Sequence, residues 1–173
     1  YGDHQGALIN ETSVCRTTQA RSLRRLDAER HWRAVGFHVL RVPGISGPDR
    51  LPVERLRSGM PALQPQDDVY TNHIHADDLA RACWLALWRG QAQRVYHVSD
   101  DSQLKMGDYF DVAADIFGLP RPNRVPRDTA KDQLPLMLLS FMSESRRLDN
   151  TRMKQELGLR LRYPTVHNGL KAG

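Results

Sequence analysis

Cysteine is scarce in this chain of 173 residues: Cys15 and Cys83 stand far apart, with no metal-ligand spacing around either. That excludes a cysteine-built metal centre and fits a reducing, cytoplasmic setting. Cys83 falls in an apolar helical stretch, where a buried structural thiol is expected. No run of about 18 apolar residues occurs, which argues against a transmembrane helix, and the first residues lack the basic-then-apolar order of a signal peptide. Lysine is rare, so nearly all the positive charge is arginine; 25 Lys plus Arg against 20 Asp plus Glu leave a net charge of +5. The two signs are interleaved and the aromatics sit at core-like spacings, so binding to nucleic acid is not expected. Internal repeats and low-complexity tracts are absent as well.

A hydrophobic content of 40% is enough for the core of one domain, in the soluble globular class. Three segments read as strands: Phe37–Val42, Val69–Ile74 and Arg94–Asp100. Helices are expected over 21–35, ended by Gly36, over 51–57, from Asp77 onward, over 106–117, ended by Gly118 and Pro120, after Pro135, and over 149–157. In the third helix Trp84, Leu85, Leu87 and Trp88 widen the apolar face almost all round, which predicts burial between a sheet and another layer. Asp78 is expected to cap it. Strands alternating with helices argue for a parallel sheet covered on both faces, and the helical second half for an added lobe. In such sheets the ligand crevice lies at the carboxyl ends of the strands. That points to Arg41-Val42-Pro43-Gly44-Ile45-Ser46-Gly47-Pro48, where an apolar run breaks into a turn of two glycines and two prolines.

The order Tyr1-Gly2, Glu11, Glu29, Leu40 through Pro48, His75-Ala76-Asp77-Asp78-Leu79-Ala80 and Tyr96-His97-Val98 resembles the second half of an extended short-chain dehydrogenase/reductase of the NAD-dependent epimerase/dehydratase family. The tail, Arg152 to Gly158 followed by Tyr163-Pro164 and Gly169-Leu170, is similar too. The resemblance implies an α/β, Rossmann-like, doubly wound parallel sheet, its later part only, with a small, mainly helical C-terminal lobe. Residues 1–100 would complete the NAD(P)-binding domain, with 48–67 contributing to the substrate lobe, and 101–173 would form most of that lobe. Members of the family open with a strand and a Gly-x-x-Gly-x-x-Gly turn that grips the cofactor pyrophosphate. This sequence has none, so the N-terminal half is expected to be missing from it.

A second departure concerns chemistry. Active relatives carry Tyr-x-x-x-Lys on the helix before the crevice strand, with the phenol as proton donor. Counting back from Glu29, the Tyr position holds Arg21 and the Lys position Arg25, and a guanidinium stays protonated throughout the physiological range. The catalytic residues are therefore not assigned. Arg21 and Arg25 either clamp a phosphate or carboxylate or form a solvated helix face balanced by Asp27 and Glu29. Tyr1, Arg25, Pro43, Gly44 and Ile45 are the residues the resemblance places near cofactor, the last three with a purely structural turn as the alternative. Arg21, Arg50 and His75 are the substrate-side candidates, against a surface arginine at 50 and a structural histidine ahead of a helix cap at 75. Asp100 and Asp101 lack a third ligand, and no metal is expected.

The resemblance thus implies NAD or NADP in the full-length parent, a small polar or nucleotide-sugar-type substrate, no membrane partner, and a homodimer as one arrangement. The parent is either an oxidoreductase with an atypical active site or a cofactor-binding sensor or scaffold without turnover.

Overall fold

The computed structural model describes residues 1–172, in which short strands alternate with helices from end to end. A turn-like opening holds β1 (Leu8–Ile9), and a polar loop leads into α1 (Ala20–Ala34). The chain leaves α1 through Gly36, whose φ of 95° is a conformation that side-chain-bearing residues rarely adopt. β2 (Val39–Arg41) follows at once, and β3 (Gly44–Ser46) comes after a break at Val42-Pro43. A 3-10 turn over Pro48–Arg50, α2 (Val53–Arg57) and β4 (Ala62–Leu63) make an excursion, and the chain returns through β5 (His73–His75) and α3 (Ala76–Arg89) to β6 (Val95–His97). Then come α4 (Met106–Phe117), β7 (Arg124–Val125), α5 (Arg127–Gln133), α6 (Leu136–Phe141), β8 (Arg147–Leu148), α7 (Thr151–Glu156) and α8 (Val166–Lys171).

Every ladder among the described residues is parallel. β2 pairs with β6 in the register Val39 to Val95, Leu40 to Tyr96 and Arg41 to His97. β3 pairs with β5, β1 with β8 and β4 with β7. Parallel neighbours need a crossover connection, and between β2 and β6 the last leg of it is α3. Two expected strands are present as β2 and β6, whereas Val69–Ile74 gives only its last two residues to β5, Tyr70 making an isolated antiparallel bridge to Lys105. The five others have two or three residues each, too few for an alternating pattern to show in the sequence.

Three apolar clusters hold these pieces together. Around the sheet, Ile74, Tyr96 and Val98 pack on Ala82 and Ala86 of α3 and on Met153, Leu157 and Leu159, so the α7 segment returns to the sheet. A second cluster joins α2, α4 and α8 through Leu56, Phe110, Ala113, Val166 and Leu170. The third gathers Leu63, Val69, Ala130, Leu134 and Met142.

α3 differs from its expected burial. Asp78, Ala82 and Ala86, four residues apart, form the buried stripe, and their small side chains let the helix lie close to the sheet. Trp84, Leu87 and Trp88 point outward, with 62%, 72% and 74% of their surface exposed. Cys83 is exposed too, so it is not the buried structural thiol expected of it. Apolar type alone misread the helix, because the alanines set its inner face.

Capping of α3 also falls to a different residue. His75 Nδ1 accepts the Asp77 N–H at 3.2 Å, whereas Asp78, fully buried, accepts the backbone N–H groups of Arg162 at 2.9 Å and Tyr163 at 2.8 Å. Arg81 adds an ion pair at 2.9 Å. Asp78 thereby ties the loop before α8 to the start of α3. Replacing it with alanine orphans two backbone donors, each costing about 1–3 kcal/mol when left unpaired. Asp78→Ala is therefore expected to lower the urea midpoint markedly, with Asp78→Asn losing less; a midpoint within error of the parent would contradict this role.

Candidate functional site

The site grows from the carboxyl end of β2. Pro43 has no N–H to continue the ladder, and Gly44 N–H then bonds to the Asn72 carbonyl at 3.2 Å to start the β3–β5 pair. A side chain at Gly44 would stand 3.3 Å from the Asn72 oxygen and 3.4 Å from His73 Nδ1, so the backbone passes close to its neighbour strand. α1 lies beside this break. Its position is set by Glu29, which takes a forked contact from Arg41 of β2, at 3.0 Å from Nε and 2.7 Å from Nη2. Both side chains are largely buried, at 16% and 18% exposure. Arg21, Arg25 and Glu29 recur every four residues and so share one face of α1.

Two clefts open there, sharing Ser22, Arg25, Val42 and Arg146 as a common wall. The first, about 560 Å³, is lined by Tyr1, Glu29, Trp32 and Arg41. The Arg41 guanidinium lies 4.5 Å from the Tyr1 ring centre, and Tyr1 Oη is 2.5 Å from His97 Nε2. His97 Nδ1 in turn lies 3.0 Å from the Asp149 carbonyl. Burial pushes the Tyr1 phenol up to about 12 and keeps His97 below its ordinary value.

The second cleft, about 580 Å³, lies between the Pro43-Gly44 turn, β5, α4 and α6. Besides Arg21 and Arg25 it is lined by Arg55, His73, Tyr109 and Arg146. The Arg21 guanidinium sits 5.4 Å from the Phe141 ring centre. Arg146 is held by Glu144 at 2.8 Å, and Glu144 also accepts Gln19 Nε2 at 3.2 Å. His73 stacks on Tyr109, centroids 4.3 Å apart, with Nε2 3.2 Å from Thr71 Oγ1. Burial drives the His73 imidazole down to about 4 and the Tyr109 phenol up to about 12, so both are neutral at pH 7.

Of the residues singled out in the sequence, Arg21, Arg25, Pro43 and Gly44 come together in the second cleft, and Tyr1 lies in the first. The others stand apart. Ile45 packs against the sheet cluster, Arg50 is exposed on the 3-10 turn, and His75 is buried with its ring against Tyr163, centroids 3.9 Å apart. Asp100 and Asp101 are held by protein: Asp100 accepts the Ser102 N–H at 2.9 Å, and Asp101 pairs with Lys154 at 2.5 Å. Among the described residues no group of three or more His, Cys, Asp or Glu could hold a metal ion. Arg55, His73, Tyr109 and Arg146 carry no local sequence signal; only the parallel pairings and α4 bring them to one wall.

No family model and no curated protein matches this sequence. Solved structures do. The chain is 39% identical to a conserved protein of unknown function from Silicibacter pomeroyi DSS, with a TM-score of 0.88 over 99% of this chain and 61% of that one. A human epimerase family protein solved with NADPH is 17% identical, with a TM-score of 0.80 over 99% and 60% of the two chains. A dTDP-glucose 4,6-dehydratase from Streptomyces venezuelae, solved with NAD, is 19% identical, with a TM-score of 0.75 over 98% and 54%. The fold is therefore that of the later part of NAD-dependent epimerase/dehydratase structures, Rossmann-like short-chain dehydrogenase/reductases. The chain spans about 54–61% of the length of these three.

Two buried groups give opposite pH dependence. His73 falls from 6.5 to about 4 on folding, so its contribution to stability is complete above pH 6.5 and is lost as pH falls toward 4. Asp100, raised by burial from 3.8 to about 7, contributes fully below 3.8 and loses its contribution as pH rises through 7. Denaturation midpoints of Asp100→Asn should therefore fall more steeply than the parent's on acidification from pH 6.5 to 4, and those of His73→Phe less steeply. Superimposable profiles for all three proteins would contradict both assignments.

Proposed function

We propose that the chain forms the substrate-side portion of an NAD(P)-dependent oxidoreductase of the epimerase/dehydratase type, acting on a small polar or nucleotide-sugar-type substrate. The observation that carries this reading is the pair of clefts meeting at the end of β2, with Arg25 on their common wall. In doubly wound sheets this is where ligands bind. The first cleft, with Tyr1, Arg25 and the Val42-Pro43-Gly44 turn beside it, is the wall offered to NAD or NADP; the second is the wall offered to substrate. Residues 1–100 carry the cofactor side, 48–67 and 101–173 the substrate lobe, with the α7 segment packed back on the sheet; Gly173 lies outside the described residues. The donor set fits a cofactor on one side only, since no glycine-rich turn accompanies it.

A bound nicotinamide supplies the hydride acceptor or donor. The chain's own contribution is binding and orientation, because the guanidinium side chains of Arg21 and Arg25 offer donor forks suited to holding an anion. Ser22, Tyr70, Thr71, Tyr109 and Ser140 are the hydroxyl-bearing residues lining the second cleft, within whose reach a substrate proton would move.

Fluorescence titration of the whole natural protein with NADH and NADPH, followed by absorbance assays over nucleotide sugars and small hydroxylated acids, tests the reading. Saturable binding of one nucleotide and turnover of at least one polar hydroxyl substrate are expected, and Arg25→Ala should weaken nucleotide binding. Binding without turnover would favour a sensor, and absence of binding would overturn the assignment.

A further inference from the structure

The second cleft carries more positive charge than its surroundings neutralise. Its lining contains Arg21, Arg25, Arg55 and Arg146 against a single carboxylate, Glu144, which is already occupied by Arg146 and Gln19. Arg21 and Arg25 have no ion pair or hydrogen bond among the described residues. Arg55 is the least expected of the four. It is half-buried on α2, with its guanidinium 4.5 Å from the Phe110 ring centre. Its protein partners are neutral: the Pro61 carbonyl accepts from Nη2 at 3.0 Å and the Met60 sulfur lies 3.6 Å from Nη1. Nε has no protein partner among the described residues and is not sealed from solvent, and the residue lines the cleft. Burial without a counter-charge lowers its affinity for its proton. A half-buried cation that lines a cavity, rests on an aromatic face and keeps a donor without a protein partner is suited to recognising an external oxyanion.

We infer that Arg55, with Arg21 and Arg25 flanking it, is an anion-recognition site in the second cleft, selecting a ligand that bears a phosphate or carboxylate group. This rests on the reading of that cleft as the substrate side and narrows the substrate to an anionic one. The Arg55 and Arg21 guanidinium groups rest against the Phe110 and Phe141 rings, at 4.5 and 5.4 Å from their centres, and such contacts reduce the ordering cost of binding. A cleft of about 580 Å³ suits a small molecule, within the usual range of ligand pockets. The neutral His73–Tyr109 stack beside it adds no competing charge at pH 7.

The test is calorimetric titration of the whole natural protein, at low salt, with inorganic phosphate, malonate and uridine diphosphate. At least one of the three should bind, with affinity falling as sodium chloride is added. Arg55→Met should weaken that ligand about tenfold or more, the size of a lost charge-assisted pair. Phosphate or the nucleotide binding in preference to malonate assigns a phosphoryl group, and the reverse a carboxylate. Should Arg55→Met fail to fold, Arg21→Met, on an exposed helix face and lining the second cleft alone, is expected to give a loss of similar direction. Unchanged affinity in the folded variants, or no binding of any of the three anions, overturns the inference. NADH titration of the same preparations separates the two readings: intact NADH binding without anion binding removes this site alone, and anion binding without NADH removes the cofactor assignment alone.

Discussion

The forked contact between Arg41 and Glu29 is the interaction on which the site depends. It joins α1 to β2 one residue before the strand breaks, and it does so with two largely buried charges. Removing one partner of such a pair leaves the other uncompensated, a loss of about 3–5 kcal/mol where burial is complete. α1 has little else to hold it, for none of its residues is buried and Leu23 and Trp32 are about half exposed. The ion pair, the Arg33 bond to the Gln93 carbonyl at 2.8 Å and the contact of Trp32 with Phe37 therefore set where Arg21 and Arg25 stand. From there the arrangement continues inward: Arg41 covers Tyr1, Tyr1 meets His97, and the Glu11 carboxylate accepts the His97 N–H at 3.0 Å. Strand end, helix and N-terminal loop form one connected polar layer under the first cleft.

Above that layer the chemistry is that of cations and neutral aromatics. Arg21 and Arg25 present guanidinium groups to the second cleft, and a guanidinium orients anions without exchanging protons. The second cleft pairs this with His73 and Tyr109, both kept neutral by burial. Such a site is well made for gripping and aligning an anionic molecule. The cleft wall also offers the hydroxyls of Ser22, Tyr70, Thr71, Tyr109 and Ser140.

Much of the architecture was legible in the sequence, and the misses have physical reasons. The apolar runs at Phe37–Val42 and Arg94–Asp100 announced β2 and β6, and their parallel pairing followed from the helix between them. Gly36 and Gly118 marked helix ends because both adopt left-handed φ. α3 was misjudged because two tryptophans outweighed two alanines in the pattern, while packing favoured the small residues. α5 and α8 carry few apolar residues in six or seven positions and show little periodicity. Arg21, Arg25, Pro43 and Gly44 could be singled out, and do line one cleft, because a strand end and a helix face are readable in one dimension. Arg55, His73 and Arg146 could not be, since their meeting depends on an excursion and on pairings between segments far apart in sequence.

The central claim is that these residues build the end of a nucleotide-binding sheet, with cofactor and substrate on either side of Arg25. A crystal structure of the whole natural protein with NAD or NADP bound tests it most directly. The account predicts the nicotinamide end of the cofactor against Val42-Pro43-Gly44 and Arg25, with the Arg21 and Arg55 side still open to a second ligand. A cofactor lying elsewhere on the molecule, with the β2 end covered by protein, would contradict it.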